Sequence, residues 1–297
     1  MPELPEVETV RRGLEKLVVG QAVHSLTVLE PKSFHLDAGV SLDQHLLGTT
    51  VTSITRRGKV LIIHLTGGHC LVGHLKMTGQ LVVVGANRDG NGQTRWGGGH
   101  PTDSLIDRLP DRSTRIILEF ADGSHLYFND QRKFGWLHLM PTAQVPQIEL
   151  LAKMGPEPLE GDPWPEFHSR IRRHQATSIK AALLNQTVVA GIGNIYADEA
   201  CWAARVHPAT KVGRLSERKL RALLQGATEA MRTALAVGGS TDRTYVDAEG
   251  RRGAYLTFAK VFRKEGQPCQ RCGTTLVKTR VAGRGTHLCP RCQRVVN

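Results

Sequence analysis

The sequence predicts an α+β fold of several domains, on three observations. Short β-rich runs fill the first half, apolar residues at helical spacing dominate much of the second, and two Cys-x2-Cys pairs stand near the end. From these we expect an N-terminal helix plus antiparallel β-sandwich over 1–150 and a linker over 151–165. A helical domain over 166–240, a loop over 241–255 and a four-cysteine zinc-finger β-hairpin over 256–297 should follow. At 297 residues the chain exceeds one average domain and can bury a sizeable core.

The first helix is read over Glu6–Val18, where Val7, Val10, Leu14 and Leu17 share one face while Arg11, Arg12, Glu15 and Lys16 lie elsewhere. The preceding Pro2-Glu3-Leu4-Pro5 reads as an extended lead-in. Strand-forming runs follow at Val51–Leu65, His69–Val84, Ile116–Phe120 and His125–Phe128, broken by Gly67-Gly68 and Asp122-Gly123. The polar, Gly- and Pro-containing stretch between Val84 and Arg115 reads as a mobile loop outside the core. Pro156, Pro158, Pro163 and Pro165 around Glu160-Gly161-Asp162 stop regular structure and mark the linker. Beyond it Thr177 is a candidate cap for a helix to about Asn185, and Asn194 for one to Ala204. Ser216 should open a long helix with Leu220, Leu223, Leu224, Ala227, Met231 and Leu235 on one face, ended by Gly238-Gly239.

Cys269, Cys272, Cys289 and Cys292 form two close pairs separated by sixteen residues. A tight turn within each pair can aim two thiolates at one ion, and four thiolates close a tetrahedral shell without a position for water. One structural Zn(2+) is therefore expected, with no catalytic duty. The residues between the pairs alternate β-branched positions with Lys278, Arg280 and Arg284, the pattern of a hairpin that presents cations. Cys70 and Cys201 sit singly in apolar runs, which is thiol usage of a reducing compartment and not a disulfide framework.

Lys and Arg number 39 against 27 Asp and Glu, a formal charge of +12. From Lys260 to Asn297 nine cations face one acid, Glu265, so most of the excess is local. A polyanion, with nucleic acid first, is the expected partner. No apolar run approaches the roughly 18 residues of a membrane helix, and no basic-then-apolar leader opens the chain. A soluble, cytoplasmic monomer is expected.

The amino terminus offers a second kind of chemistry. Pro2 is small enough to permit removal of Met1, which would expose a secondary amine. An α-amino group has a pKa of about 8 and is partly neutral near pH 7. A secondary amine can then condense with an aldehyde carbon to an iminium. Glu3 and Glu6 are adjacent proton donors or anchors for the amine.

The start Met1-Pro-Glu-Leu-Pro-Glu-Val-Glu-Thr-Val-Arg-Arg-Gly13 resembles bacterial formamidopyrimidine-DNA glycosylases. So do His74-Leu-Lys-Met-Thr-Gly79, Asp130-Gln-Arg-Lys-Phe-Gly135, Gly155-Pro-Glu-Pro-Leu159, Gly191-Ile-Gly-Asn-Ile-Tyr-Ala-Asp-Glu199 and the four-cysteine finger, all in family order. The resemblance implies a helix-two-turn-helix element in the helical domain. It also implies a base excision repair enzyme that removes oxidised purines (8-oxoguanine, formamidopyrimidines) from double-stranded DNA with a damaged base and then cleaves the strand. Pro2 would be the nucleophile at C1′ and Glu3 the general acid, with Lys59 moving protons and touching phosphate. Asn194 and Arg284 would hold the phosphates beside the lesion, Arg284 also serving the second elimination. Met77, Arg132 and Phe134 would fill the space left by the extruded nucleotide, and the loop 241–255 would cap the lesion.

Three positions depart from that pattern. Lys133 stands where an arginine is usual, keeping the charge without the planar fork. A histidine common before the Ile116 run is replaced near Ser113, and the loop preceding it is longer than usual. Two alternatives stay open on sequence: an endonuclease VIII-type glycosylase for oxidised pyrimidines, although that branch usually begins Pro-Glu-Gly-Pro where this chain has Leu4, and a noncatalytic zinc-ribbon DNA-binding protein.

Overall fold

The apolar stripe of the first helix is buried as its period requires, with Val7, Val10, Leu14 and Val18 all in the core and Leu17 at its margin. In the computed structural model, which describes residues 2–85, 95–99, 108–239 and 254–295, this helix, α1, spans Leu4–Val18. It begins two residues earlier than its spacing predicts. Pro5 falls in the first turn, where its missing N–H costs nothing and its fixed φ suits the helix.

Chain packing divides the protein into two compact units. The first is built on Pro2 and Glu6–Ala152, the second on Glu3–Pro5, Lys153–Val237 and the chain from Ala254 onward. The helical segment and the finger, expected as separate domains, thus form one unit.

Among the described residues of the first unit ten strands make two five-stranded sheets. They are β1 (Val23–Val28), β2 (Phe34–Leu36), β3 (Val51–Arg57), β4 (Val60–Leu65), β5 (His69–His74), β6 (Gly79–Val84), β7 (Arg95–Gly99), β8 (Thr114–Phe120), β9 (His125–Asp130) and β10 (Trp136–Pro141), with a short helix α2 (Leu42–His45) between β2 and β3. One sheet runs β1-β8-β9-β6-β7 and the other β2-β10-β5-β4-β3. All pairings are antiparallel except β2 with β10. Alternate residues of both sheets, including Ile54, Leu61, Leu71, Leu81, Ile116, Phe128 and Leu137, meet the stripe of α1 in one core.

Two long runs are each split. Gly58-Lys59 turns β3 into β4, and Leu75–Thr78 turns the chain between β5 and β6. The expected loop between Val84 and Arg115 is also not all loop. Arg95–Gly99 pairs residue by residue with β6, and its Trp96 is buried against α1, where a Cβ on Gly13 would overlap the indole ring.

The second unit follows α3 (Glu149–Ala152) with α4 (Trp164–Ile171), α5 (Ile179–Leu184), α6 (Asn194–Ala203), α7 (Glu217–Ala236), α8 (Tyr255–Phe258) and a hairpin of β11 (Val277–Val281) and β12 (Arg284–Leu288). Its core joins Leu4, Phe167, Ile171, Leu183, Tyr196, Leu220, Leu223, Ala227 and Met231. Ser216 caps α7 through Lys219 N, and Gly238 and Gly239, both with positive φ, follow its end as the sequence predicts. Thr177 is not a cap: α5 begins after Ser178, whose side chain makes no capping bond.

Candidate active site and nucleic-acid interface

Glu3 is the first predicted site residue whose partner is visible. It is buried, and its Oε1 accepts the Ile195 N–H at 2.9 Å, one of the orphan amides at the start of α6. The residue before α6 is Gly193, in extended backbone, and a Cβ there would overlap the Glu3 carboxyl group. Leu4 is fixed beside it, its N–H donating to the Gly191 carbonyl at 3.1 Å. The expectation that Asn194 caps α6 is therefore corrected. Glu3 supplies the cap, and Asn194 is the first helical residue, its Nδ2 donating to the Gly285 carbonyl at 3.1 Å. That bond ties the helix start to the residue next to Arg284, whose own side chain is exposed at the hairpin tip.

Pro2 and Lys59 belong to the first unit, and both are buried. Lys59 occupies the turn between β3 and β4, just after Gly58, whose φ of 56° is the left-handed backbone the tight reversal needs. His74, at the end of β5, is pushed down to about 3 by burial, then by the charges of Lys76 and Lys59. It is thus neutral at physiological pH, and its Nδ1 accepts the Lys76 N–H at 2.9 Å.

Met77, Arg132 and Phe134 are brought together at the surface of the same unit. The Arg132 guanidinium lies 5.0 Å from the centre of the Phe134 ring and donates to the Met77 sulfur at 3.1 Å. Met77 is 39% exposed and Phe134 54% exposed, unusual for large apolar side chains that make no core contact. Lys133, between them, has φ 57° and points its ammonium at Glu30, 2.6 Å away. That hydrogen bond holds the Glu30 carboxyl below the usual range. The charge retained at Lys133 is thus engaged within the unit.

The four cysteines form a single cluster with their sulfurs within 4.8 Å of one another. Cys272 Sγ lies 3.5 Å from both Cys289 Sγ and Cys292 Sγ, close to the edge of about 3.8 Å that four Zn–S bonds of 2.3 Å impose. Their environments also call for a cation. Hydrogen bonds from Thr274 draw the Cys272 thiol down to about 6, whereas burial and the neighbouring sulfurs push Cys292 up to about 12. Four thiolates this close repel one another, and a divalent cation among them offsets that repulsion.

Sequence reasoning missed what locks this finger onto the helices. Lys180 of α5 is fully buried and donates from Nζ to Asp198 Oδ1 (2.6 Å), the Gly285 carbonyl (2.9 Å) and Thr286 Oγ1 (2.8 Å). Asp198 Oδ2 accepts the His287 N–H at 2.8 Å. Next to it in α6, Glu199 accepts the amides of Lys260, Val261 and Phe262 at 2.8–2.9 Å. Burial raises the Glu199 carboxyl and the three amides oppose that rise. At the other end of α6, Arg271 stacks on Trp202 and donates to the Trp202 and Ala203 carbonyls. The one available signal was the pair Asp198-Glu199 inside an otherwise apolar helix, since buried charges must be paired.

The family comparisons agree with this geometry. The model of the formamidopyrimidine-DNA glycosylase N-terminal domain matches residues 1–137, that of the formamidopyrimidine-DNA glycosylase H2TH domain matches 154–246, and that of a zinc finger found in FPG and IleRS matches 266–295. A formamidopyrimidine-DNA glycosylase of Ligilactobacillus salivarius is 37% identical over 295 residues, covering 99% of each chain. The chain belongs to the formamidopyrimidine-DNA glycosylase family. Solved glycosylases match it over nearly its whole length. The Lactococcus lactis Fpg in complex with DNA containing an abasic site has a TM-score of 0.81 at 36% identity and covers 98% of this chain and 99% of its own. A G226P mutant of the same glycosylase with Fapy-dG-containing DNA has a TM-score of 0.82 at 36% identity, covering 99% and 100%. The four-cysteine cluster accordingly holds one structural zinc ion. The loop 241–255 lies outside the described residues except for Ala254 and Tyr255, of which Tyr255 begins α8 and is buried.

Proposed function

We propose that the protein is a bifunctional DNA glycosylase and abasic-site lyase of base excision repair, acting on oxidised purines in duplex DNA. Family membership over the whole chain carries this reading. Solved relatives with DNA containing an abasic site or Fapy-dG support the substrate class.

In this reading the Pro2 amine attacks C1′ of the damaged nucleotide as the bond to the base breaks, and Glu3 donates the proton that lets the base leave. The C1′–O4′ bond then breaks as O4′ takes a proton, and the iminium left on the opened sugar acidifies the C2′ proton. Its removal expels the 3′ phosphate, and a second elimination assisted by Arg284 expels the 5′ phosphate. Lys59 moves protons and contacts phosphate in these steps. Asn194 and Arg284 bind the phosphates flanking the lesion; the amides at the start of α6 suit an anion. Met77, Arg132 and Phe134 enter the duplex in place of the extruded nucleotide. The zinc ion shapes the hairpin and takes no part in bond making.

The enzyme works as a monomer in the cytoplasm; among the described residues no helix is long and apolar enough to cross a membrane. The test is a duplex with 8-oxoguanine opposite cytosine, set beside one with an oxidised pyrimidine. Free oxidised purine and a one-nucleotide gap with phosphate on both ends are expected. Faster release of the pyrimidine would favour the endonuclease VIII-type alternative, and binding without cleavage would favour a noncatalytic protein.

A further inference from the structure

We propose that Asp130, acting with Thr78, is the positioning residue of the Met77–Arg132–Phe134 wedge and so governs how well the enzyme opens a fully paired duplex. The inference rests on the reading of those three side chains as the wedge. Asp130 ends β9 and is 0% exposed, yet it contributes nothing to the apolar core. Both of its carboxylate oxygens are committed to the two turns that carry the wedge. Its Oδ2 accepts the amides of Phe134 (2.8 Å) and Gly135 (2.7 Å), and its Oδ1 accepts the amide of Arg132 (3.1 Å) and the hydroxyl of Thr78. Its own N–H donates to the Ser113 carbonyl at 2.8 Å, and its carbonyl accepts the buried Arg115 Nε at 2.8 Å.

Thr78 is the second half of the device. Its hydroxyl donates to Asp130 and accepts the Arg132 N–H at 3.1 Å, so it joins the turn that carries Met77 to the turn that carries Arg132 and Phe134. The two turns lie far apart in sequence, and each places an exposed side chain that only touches the others through surface contacts. One buried carboxylate with four donors removes the freedom that those exposed contacts leave. Lys133, in left-handed backbone and paired with Glu30, lets Arg132 and Phe134 come to one side of the turn. A loosely held wedge would spend its binding energy on its own ordering, where a preformed one spends it on unstacking the lesion.

The test compares Thr78→Val, Asp130→Asn, Thr78→Ser, Phe134→Ala and the parent protein in two reactions. One is single-turnover excision of 8-oxoguanine from a fully paired duplex, with 2-aminopurine beside the lesion to report unstacking. The other is cleavage of an abasic site in single-stranded DNA, where nothing has to be extruded. Thr78→Val should slow both unstacking and excision about tenfold, the worth of one hydrogen bond to a charged group, and change single-strand cleavage much less. Asp130→Asn, which turns an acceptor toward two amides into a donor, should lose more, and Thr78→Ser should recover the parent rates. If Phe134→Ala slows unstacking while Thr78→Val and Asp130→Asn do not, the positioning role is overturned. An equal loss in both reactions would reduce Asp130 to a structural residue and overturn it as well. If Phe134→Ala itself unstacks and excises like the parent, it is the wedge reading that fails.

Discussion

Glu3 serves the local fold and the proposed chemistry through different parts of one side chain. Its Oε1 completes the start of α6 by accepting the Ile195 amide, and the same carboxyl group is the proposed proton donor to the departing base. Glu3→Gln separates the two. The amide oxygen can still accept from Ile195, so the helix start should survive, but the acid is gone. Excision of 8-oxoguanine should fall by about 10² to 10⁴, the usual weight of general acid catalysis. Strand cleavage at a preformed abasic site, which has no base to expel, should keep most of its rate. Quantifying both on one gel decides the assignment; an equal loss would make Glu3 a structural cap only. From the sequence Glu3 and Asn194 stood out as candidates because they sit in family motifs, but that Glu3 caps α6 was not legible. A side chain separated by nearly two hundred residues cannot enter a local capping rule, and Asn194 was given a role that Glu3 holds.

Elements show a similar division between local and long-range information. The stripe of α1, the cap of α7 and the cysteine spacing are written in short stretches and were read correctly, as was the apolar face of α7 up to Met231, beyond which Ala234 and not Leu235 is buried. Strand β7 was not, because three glycines in Arg-Trp-Gly-Gly-Gly disfavour a strand, which exists through pairing with β6 and packing of Trp96 against Gly13. The finger lock was hidden for the same reason: the finger-side partners of Lys180, Asp198 and Glu199 lie 61 to 106 residues further along the chain, beyond any local pattern. Removing one partner of a fully buried pair strands the other, so Asp198→Ala should destabilise the protein by about 3–5 kcal/mol. It should also speed zinc release to a chelator; a melt and a release rate like those of the parent would show that the network is idle.

A second element-level prediction concerns α1 and β3. Burial would raise the Glu8 carboxyl, but hydrogen bonds from Arg11, Arg12 and Arg56 outweigh it and hold it low. Protons therefore bind Glu8 more tightly in the unfolded chain. Its contribution is complete above the ordinary carboxylate value of about 4.3 and is lost as the pH falls below that toward the lower folded value. Glu8→Gln should lower the melting temperature at pH 7 and flatten its fall between about pH 5 and 3. A parallel fall in both proteins would remove Glu8 from the account.

At the scale of the whole molecule, charge points to the partner and the proposed chemistry rests on the amino terminus. The excess of cations toward the carboxyl end suits phosphate neutralisation. The closed thiolate shell builds the hairpin that carries Arg284 without offering a site for catalysis. What distinguishes an enzyme from a basic zinc-ribbon protein is Pro2, and it is tested by trapping. Protein with Met1 removed is incubated with a duplex containing 8-oxoguanine opposite cytosine, the iminium is reduced with borohydride, and the adduct is mapped by proteolysis and mass spectrometry. The account predicts a covalent protein–DNA adduct on Pro2, absent when an uncleaved tag precedes it. No adduct, or an adduct on a lysine with Pro2 unmodified, would contradict it.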